Sequence, residues 1–209
     1  KLLKGCLEPL RKLGIRLIIY IDDILTMGRS PEECLRHTAI LRRHLRSLGF
    51  LINYQKSSTT STQQIEFLGF TINSNSMTIS LPKPKINNIK YEARKWIKNP
   101  QGTIRQLAQL NGRLAATIQA ILPARLKYRA LERQMIMSLQ QNNYQWEAKI
   151  TLNQEAIKEL EWWRDQVCQW NGKPMQIQQP IFQFETFTDA AKHGWGIADS
   201  QLETQGNWT

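Results

Sequence analysis

Two adjacent carboxylates, Asp22 and Asp23, interrupt a largely apolar stretch that runs from Ile15 to Tyr20 and resumes from Ile24 to Met27. Two short apolar segments around an acidic pair, with Gly28 beyond them, read as a β-hairpin carrying both acids at its tip. Neighbouring carboxylates flanked by buried strands repel one another and lose solvation. A hard divalent cation relieves both costs, because Mg²⁺ takes carboxylate oxygen. Two such ions about 3.5–4 Å apart can clamp the attacking and leaving oxygens of a phosphoryl transfer. The plain alternative is a solvated Asp-Asp turn with no chemistry.

The elements around the pair follow from local signals. Leu2–Leu13 reads as a helix stopped at Gly14. Ser30-Pro31-Glu32-Glu33 opens another: Ser30 caps, Pro31 suits the first helical position, and Glu33 completes a capping box. Leu41, Leu45 and Leu48 form its apolar stripe, and Gly49 ends it. Phe50–Tyr54 reads as a strand, and Lys56–Gln64 as a polar loop. Glu66–Ile72 and Met77–Leu81 read as a second hairpin across Asn73–Ser76. Pro82 and Pro84 mark residues 82–85 as an internal boundary.

Beyond it the period turns helical. Ile86, Ile89, Ala93, Trp96 and Ile97 share one face. A second amphipathic helix carries Ile104, Leu107, Leu110, Leu114, Ile118 and Ile121 and breaks at Pro123. A third spans about 124–140 and a fourth runs from Asn153 to Trp170. Phe182–Phe187 is strand-like, and a Gly-rich turn follows it.

Composition sets the outer limits. The 209 residues hold 28 Lys and Arg against 17 Asp and Glu, with 22% charged and 41% hydrophobic residues, which is a folded and not a disordered chain. The longest apolar run, Leu17–Ile21, is far short of a membrane span, so no membrane partner is expected. Cys6, Cys34 and Cys168 are too scattered for a zinc cluster and too few for a disulfide framework. His37 and His193 read as structural or solvated residues, not as ligands. The net charge of +11 is uneven: residues 1–60 carry +6, residues 61–130 carry +9, and residues 131–209 carry −4. Such a distribution fits a polyanion partner for the first two-thirds, with simple solubility as the alternative.

The segment Ile18-Ile19-Tyr20-Ile21-Asp22-Asp23-Ile24-Leu25 resembles the Tyr-x-Asp-Asp palm hairpin of reverse transcriptases. Leu48-Gly49-Phe50-Leu51-Ile52-Asn53-Tyr54-Gln55-Lys56 is similar to that family's next palm motif. Phe67-Leu68-Gly69-Phe70 is similar to the primer-grip hairpin. Leu107–Leu131, with Gly112, Pro123 and Arg125, is similar to the thumb helices of retrotransposon polymerases. Glu159-Leu160-Glu161-Trp162-Trp163 and Phe187-Thr188-Asp189-Ala190-Ala191 resemble the tether and first strand of a ribonuclease H domain. The whole set most resembles DIRS-type retrotransposons, with LTR-type elements next.

What the resemblance implies is an α+β fold in four parts. These are the C-terminal part of a palm with its primer grip over 1–82 and a helical thumb over 83–141. A connection follows over 142–180, then the first strands of a truncated ribonuclease H-like domain over 181–209. The implied activity is that of an RNA-directed DNA polymerase, a nucleotidyltransferase with an attached ribonuclease H, using two Mg²⁺ ions or Mn²⁺. The implied partners are an RNA or DNA template, a DNA primer and deoxynucleoside triphosphates.

Residue roles carry over position by position. Asp22 would be a metal ligand, and Asp23 a weaker or supporting one. Tyr20 and Ile21 would lie at the primer end. Lys56 would neutralise or protonate the leaving pyrophosphate. Leu68, Gly69 and Phe70 would hold the primer 3′ end, Gly69 by permitting close backbone approach. Asp189 would be the first metal carboxylate of the ribonuclease H site. Lys90, Arg94, Lys95, Lys98, Arg105, Arg113 and Arg125, with Lys127 and Arg129, would contact phosphates without reading sequence.

The resemblance also implies parts that these residues do not carry: a third palm carboxylate, the fingers, and the later ribonuclease H acids. The expectation is therefore a segment of a longer polyprotein, inactive by itself. A non-catalytic nucleic-acid-binding scaffold derived from such an enzyme is the other reading.

Overall fold

The apolar segments beside the acidic pair bond to one another. Strands β1 (Arg16–Tyr20) and β2 (Asp23–Met27) form an antiparallel ladder in register from Arg16↔Met27 to Tyr20↔Asp23. One face of β1 is inward, with Leu17 buried, while Ile18 and Tyr20 on the other face are exposed. This is the alternation that a strand covered on one side requires. The computed structural model describes residues 2–175, 186–199 and 201–208. It divides into two compact units, Lys1–Met175 and Gln176–Thr209.

The helix expected over Leu2–Leu13 is two short ones, α1 (Leu2–Cys6) and α2 (Glu8–Lys12). Pro9 has no N–H to continue the ladder, so the turn at Leu7 interrupts it. Gly14 ends the pair at φ +80°. Helix α3 (Pro31–Ser47) starts at the expected cap, the Ser30 hydroxyl accepting from the Glu33 N–H at 3.2 Å. The box is shifted, however: the Glu33 carboxylate accepts from the N–H of Arg29, not of Ser30. Leu41 and Leu45 are buried along α3, but Leu48 lies past the helix end and is 47% exposed. His37 takes the place of a third apolar residue, with its Nδ1 3.2 Å from the Met27 carbonyl. Leu7, Leu10, Ile15, Leu17, Leu41 and Leu45 make one hydrophobic cluster, and Phe50 and Ile52 pack on it.

Phe50–Tyr54 is not a strand among the described residues. Phe50 and Ile52 pack on that cluster while Leu51 between them is fully exposed, which imitates strand alternation with no partner strand. The run Glu66–Ile72 is likewise not one strand. It breaks at Leu68-Gly69 into β3 (Gln64–Phe67) and β4 (Phe70–Asn73), paired in register Phe67↔Phe70. Strand β5 (Thr78–Ser80) pairs with β4.

A larger core forms around four helices. These are α4 (Lys83–Lys98), α5 (Ile104–Ala115), α6 (Arg129–Gln141) and α7 (Gln154–Gln166). Ile86, Ile89, Ala93 and Trp96 of α4 are buried as the period predicts, and Leu107, Leu110 and Leu114 of α5 join them. Helix α5 stops well before Pro123. The Thr117 hydroxyl donates to the Leu114 carbonyl at 2.6 Å, and the Ala120 carbonyl is taken by the N–H groups of Gly172 and Lys173. Ile121 is still fully buried, though outside the helix. Residues 124–126 form a 3₁₀ turn, and α6 begins only at Arg129. Helix α7 opens on the Asn153 side chain, which accepts from the Ala156 N–H, and ends at Gln166.

Two pairings join distant segments. β6 (Gln101–Thr103) pairs with β7 (Lys149–Thr151), and β8 (Lys173–Pro174) adds to the edge of β5. The Asn171 amide locks the second, accepting from the Leu81 N–H at 2.7 Å and donating to its carbonyl at 3.1 Å. The second unit is an antiparallel sheet of β9 (Phe187–Ala190), β10 (Gly194–Ala198) and β11 (Glu203–Asn207), in the order β11-β10-β9. Of the strand expected over 182–187, Phe187 begins β9, and residues 182–185 lie outside the described residues.

Candidate functional site

The acidic hairpin closes in two residues. Because Tyr20 faces Asp23, only Ile21 and Asp22 form the turn. Ile21 has φ +54° and Asp22 does not share that sign, the pattern of a type II′ turn, whose first position favours Gly. A β-branched residue there is a genuine outlier. Tyr20 (54%) and Ile21 (74%) are exposed together with both aspartates. The tip therefore presents an aromatic ring, an aliphatic side chain and two carboxylates to solvent on four consecutive residues.

The donor chemistry fits a hard divalent cation. Mg²⁺ is commonly held by one or two carboxylates, with substrate phosphates and water completing six oxygens, and this tip supplies two. Among the described residues no three His, Cys, Asp or Glu side chains gather into one group. Asp189 lies in the second unit, exposed on β9 opposite Gly196, with its Oδ1 accepting from the Ala190 N–H at 2.9 Å.

Lys56 sits in an exposed turn, its N–H donating to Asn53 Oδ1 at 3.2 Å. Beside it, Tyr54 lies under two guanidinium groups of α3, Arg42 at 4.8 Å and Arg46 at 5.3 Å from the ring centroid. The Phe67–Phe70 hairpin also closes in two residues. Leu68 (φ +51°) and Gly69 (φ +75°) are both left-handed, as a type I′ turn requires. Phe70 packs partly buried on the larger core, while Leu68 at the tip is 40% exposed.

The expected phosphate-contacting cations are in mixed settings. Arg94, Lys95, Lys98 and Arg125 are exposed. Arg105 pairs with Glu147, and Arg113 with Glu92 at 3.3 Å. Lys90 places its ammonium 3.7 Å from Cys168 Sγ. Hydrogen bonds from Arg164 hold the Asp165 carboxyl below its ordinary range, and the charges of Lys90 and Arg94 act in the same direction. Lys127 stacks its ammonium 5.6 Å from the Trp162 ring centroid, and Arg129 opens α6, exposed. Between α4 and α5 lies a polar groove of about 300 Å³, lined by Glu92, Lys95, Trp96, Gln106, Gln109 and Arg113 among others.

Two placements had no sequence signal. Lys85 reaches back over the Phe70 ring, its Nζ 5.4 Å from the centroid. Glu159 bonds across to the start of α6, accepting from the N–H groups of Ala130 and Leu131 at 2.9 and 3.0 Å. Only Gly69, whose missing Cβ leaves room for the Lys85 ammonium beside Phe70, could have hinted that something approaches the turn.

The mixed helix-and-sheet fold resembles reverse transcriptase structures. Residues 1–72 match the family model described as reverse transcriptase (RNA-dependent DNA polymerase). The chain is similar in structure to the foamy viral protease-reverse transcriptase in complex with an RNA/DNA hybrid, with a TM-score of 0.62 at 15% identity. It is also similar to that protein with double-stranded DNA (TM-score 0.60, 15% identity) and to its dRH form with double-stranded DNA (TM-score 0.60, 14% identity). Each likeness covers 99% of this chain but only 27%, 41% and 34% of the respective viral chains, so the chain spans about a third of their length. No curated protein matches it.

Proposed function

We propose that this chain is the palm end, thumb, connection and ribonuclease H start of a retrotransposon RNA-directed DNA polymerase, of DIRS or related LTR type. The observation that carries the reading is the hairpin Arg16–Met27, which sets Tyr20, Ile21, Asp22 and Asp23 at one exposed tip inside the matched segment. Asp22 and Asp23 would hold divalent cation. When bound, Mg²⁺ there would favour attack of a primer 3′-hydroxyl on a nucleotide α-phosphate, with release of pyrophosphate. Tyr20 and Ile21 would border the primer end and the new base pair. Lys56 would face the leaving group, and the Leu68-Gly69 turn would hold the primer strand. The exposed cations Arg94, Lys95, Lys98 and Arg125 would contact the duplex backbone, and Asp189 would serve a separate ribonuclease H site.

The test uses the longer parent polyprotein, a primer–template duplex, deoxynucleoside triphosphates and Mg²⁺. Asp22→Asn abolishes primer extension and leaves duplex binding within about twofold. Undiminished extension by both Asp22→Asn and Asp23→Asn overturns the polymerase assignment. A parent that binds the duplex in a salt-sensitive manner and never extends it is the scaffold instead.

A further inference from the structure

The strongest unassigned feature is the ammonium group seated on the Leu68-Gly69 turn. Gly69 has φ +75°, and a Cβ built on it would collide with Lys85 Nζ and stand 3.0 Å from its Cε. The lysine therefore occupies the space that a side chain at position 69 would take. Its ammonium also lies over the Phe70 ring, 5.4 Å from the centroid. None of the ion pairs among the described residues involves Lys85, and the residue is exposed.

The setting is electrostatically adverse for a cation. Lys83 and Lys85 both lie in the first turn of α4, which holds no acidic residue. A helix N-terminus carries about half a positive charge, so two lysines there repel it and each other. The Lys85 side chain gains only a ring face in return. A phosphodiester at the turn would offset that repulsion.

We infer that Lys85 is a positioning residue that binds a backbone phosphate near the primer 3′ end, across the Leu68-Gly69 turn. The inference rests on the polymerase reading and deepens it by naming the group that the turn holds. Nothing covalent is required of the lysine. Its ammonium donates to a phosphate oxygen, and Gly69, with no Cβ, leaves room for the lysine to reach the turn.

The experiment measures affinity of the parent polyprotein for a primer–template duplex over a range of salt. The variants are Lys85→Gln and Lys85→Arg. Two primers are compared, one natural and one with neutral methylphosphonates at its last three internucleotide linkages. Lys85→Gln should weaken binding of the natural primer about three- to tenfold and lower the salt slope by about one. Lys85→Arg should keep most of the affinity. On the neutral primer, wild type and Lys85→Gln should bind alike. An unchanged salt slope, or an equal loss on both primers, overturns the inference, since a merely structural lysine would not distinguish them. Wild-type parent that fails to bind any duplex overturns the polymerase reading beneath it, and this inference with it.

Discussion

Tyr20 and Asp23 are the last cross-strand pair of the β1–β2 hairpin, which leaves Ile21 and Asp22 alone to reverse the chain. The tight closure forces Ile21 to φ +54° although its side chain is 74% exposed and gains little by burial. Left-handed backbone costs an ordinary residue about 1–2 kcal/mol, and glycine's extra unfolded-state entropy returns about 0.5–1 of that. Ile21→Gly should therefore raise stability slightly, by up to about 1 kcal/mol, in urea unfolding. A loss of 1 kcal/mol or more would show that the isoleucine makes contacts outweighing the strain. Backbone strain of this kind clusters at active sites and ligand clamps, which is where the proposed reading puts Ile21.

The α3 start makes a prediction about acid. The N–H of Arg29 donates to Glu33 and holds its carboxyl below the ordinary range, with smaller help from the charges of His37, Arg29 and Arg36. The Ser30 hydroxyl does the same for Glu32. A depressed carboxyl contributes stability above its unfolded pKa and loses it as pH falls through the folded one. The stability gap between wild type and Glu33→Gln should thus be present at neutral pH and close below about pH 4.3. Ser30→Ala should cost about 1 kcal/mol at neutral pH, the usual value of an N-cap. A gap that persists unchanged at pH 3 would remove Glu33 from the account.

These elements differ in how far the sequence discloses them. The acidic hairpin was legible because Asp22 and Asp23 break an apolar run that nothing else interrupts. Helix α4 was legible because Ile86, Ile89, Ala93 and Trp96 repeat at helical spacing and are buried together. Phe50–Tyr54 misled because packing Phe50 and Ile52 on one side gives the same alternation as a strand, and strand formation needs a partner that composition cannot supply. The apolar pattern alone runs Glu66–Ile72 together as one strand and hides the Leu68-Gly69 turn, although the resemblance of Phe67–Phe70 to a primer-grip hairpin and the isolated glycine both signal a break. Lys85 over Phe70, Glu159 under α6 and Asn171 on Leu81 depend on tertiary placement, the last across 90 positions.

Asn111 is the described polar side chain whose burial is uncompensated. Its Oδ1 has no hydrogen-bond partner, and its amide nitrogen reaches only Met135 Sδ at 3.6 Å. An unsatisfied buried acceptor costs about 1–3 kcal/mol, and alanine is the better helix former at a position inside α5. Against these gains stands the small void left by the amide. Asn111→Ala should be net stabilising by about 1 kcal/mol, a rise in Tm of about 2–4 °C for a chain of this size. A fall in Tm would mean that the amide has a partner in solution that offsets its burial.

Glu159 predicts the largest loss from a single isosteric change. Tyr128 provides no side-chain cap for α6, and both carboxylate oxygens of Glu159, on α7, receive the first free N–H groups instead, at Ala130 and Leu131. The same residue therefore caps one helix and ties it to another. Glu159→Gln keeps one acceptor and turns an NH₂ toward a backbone donor, so it removes one charge-assisted bond and adds a repulsive contact. The expected cost is about 1–3 kcal/mol in urea unfolding. Glu161→Gln on the same helix serves as the control, because its carboxylate caps nothing among the described residues and should shift stability by no more than about 0.5 kcal/mol. If the two variants unfold alike, the Glu159 bridge contributes nothing beyond surface charge, and α6 must be held by its apolar face alone.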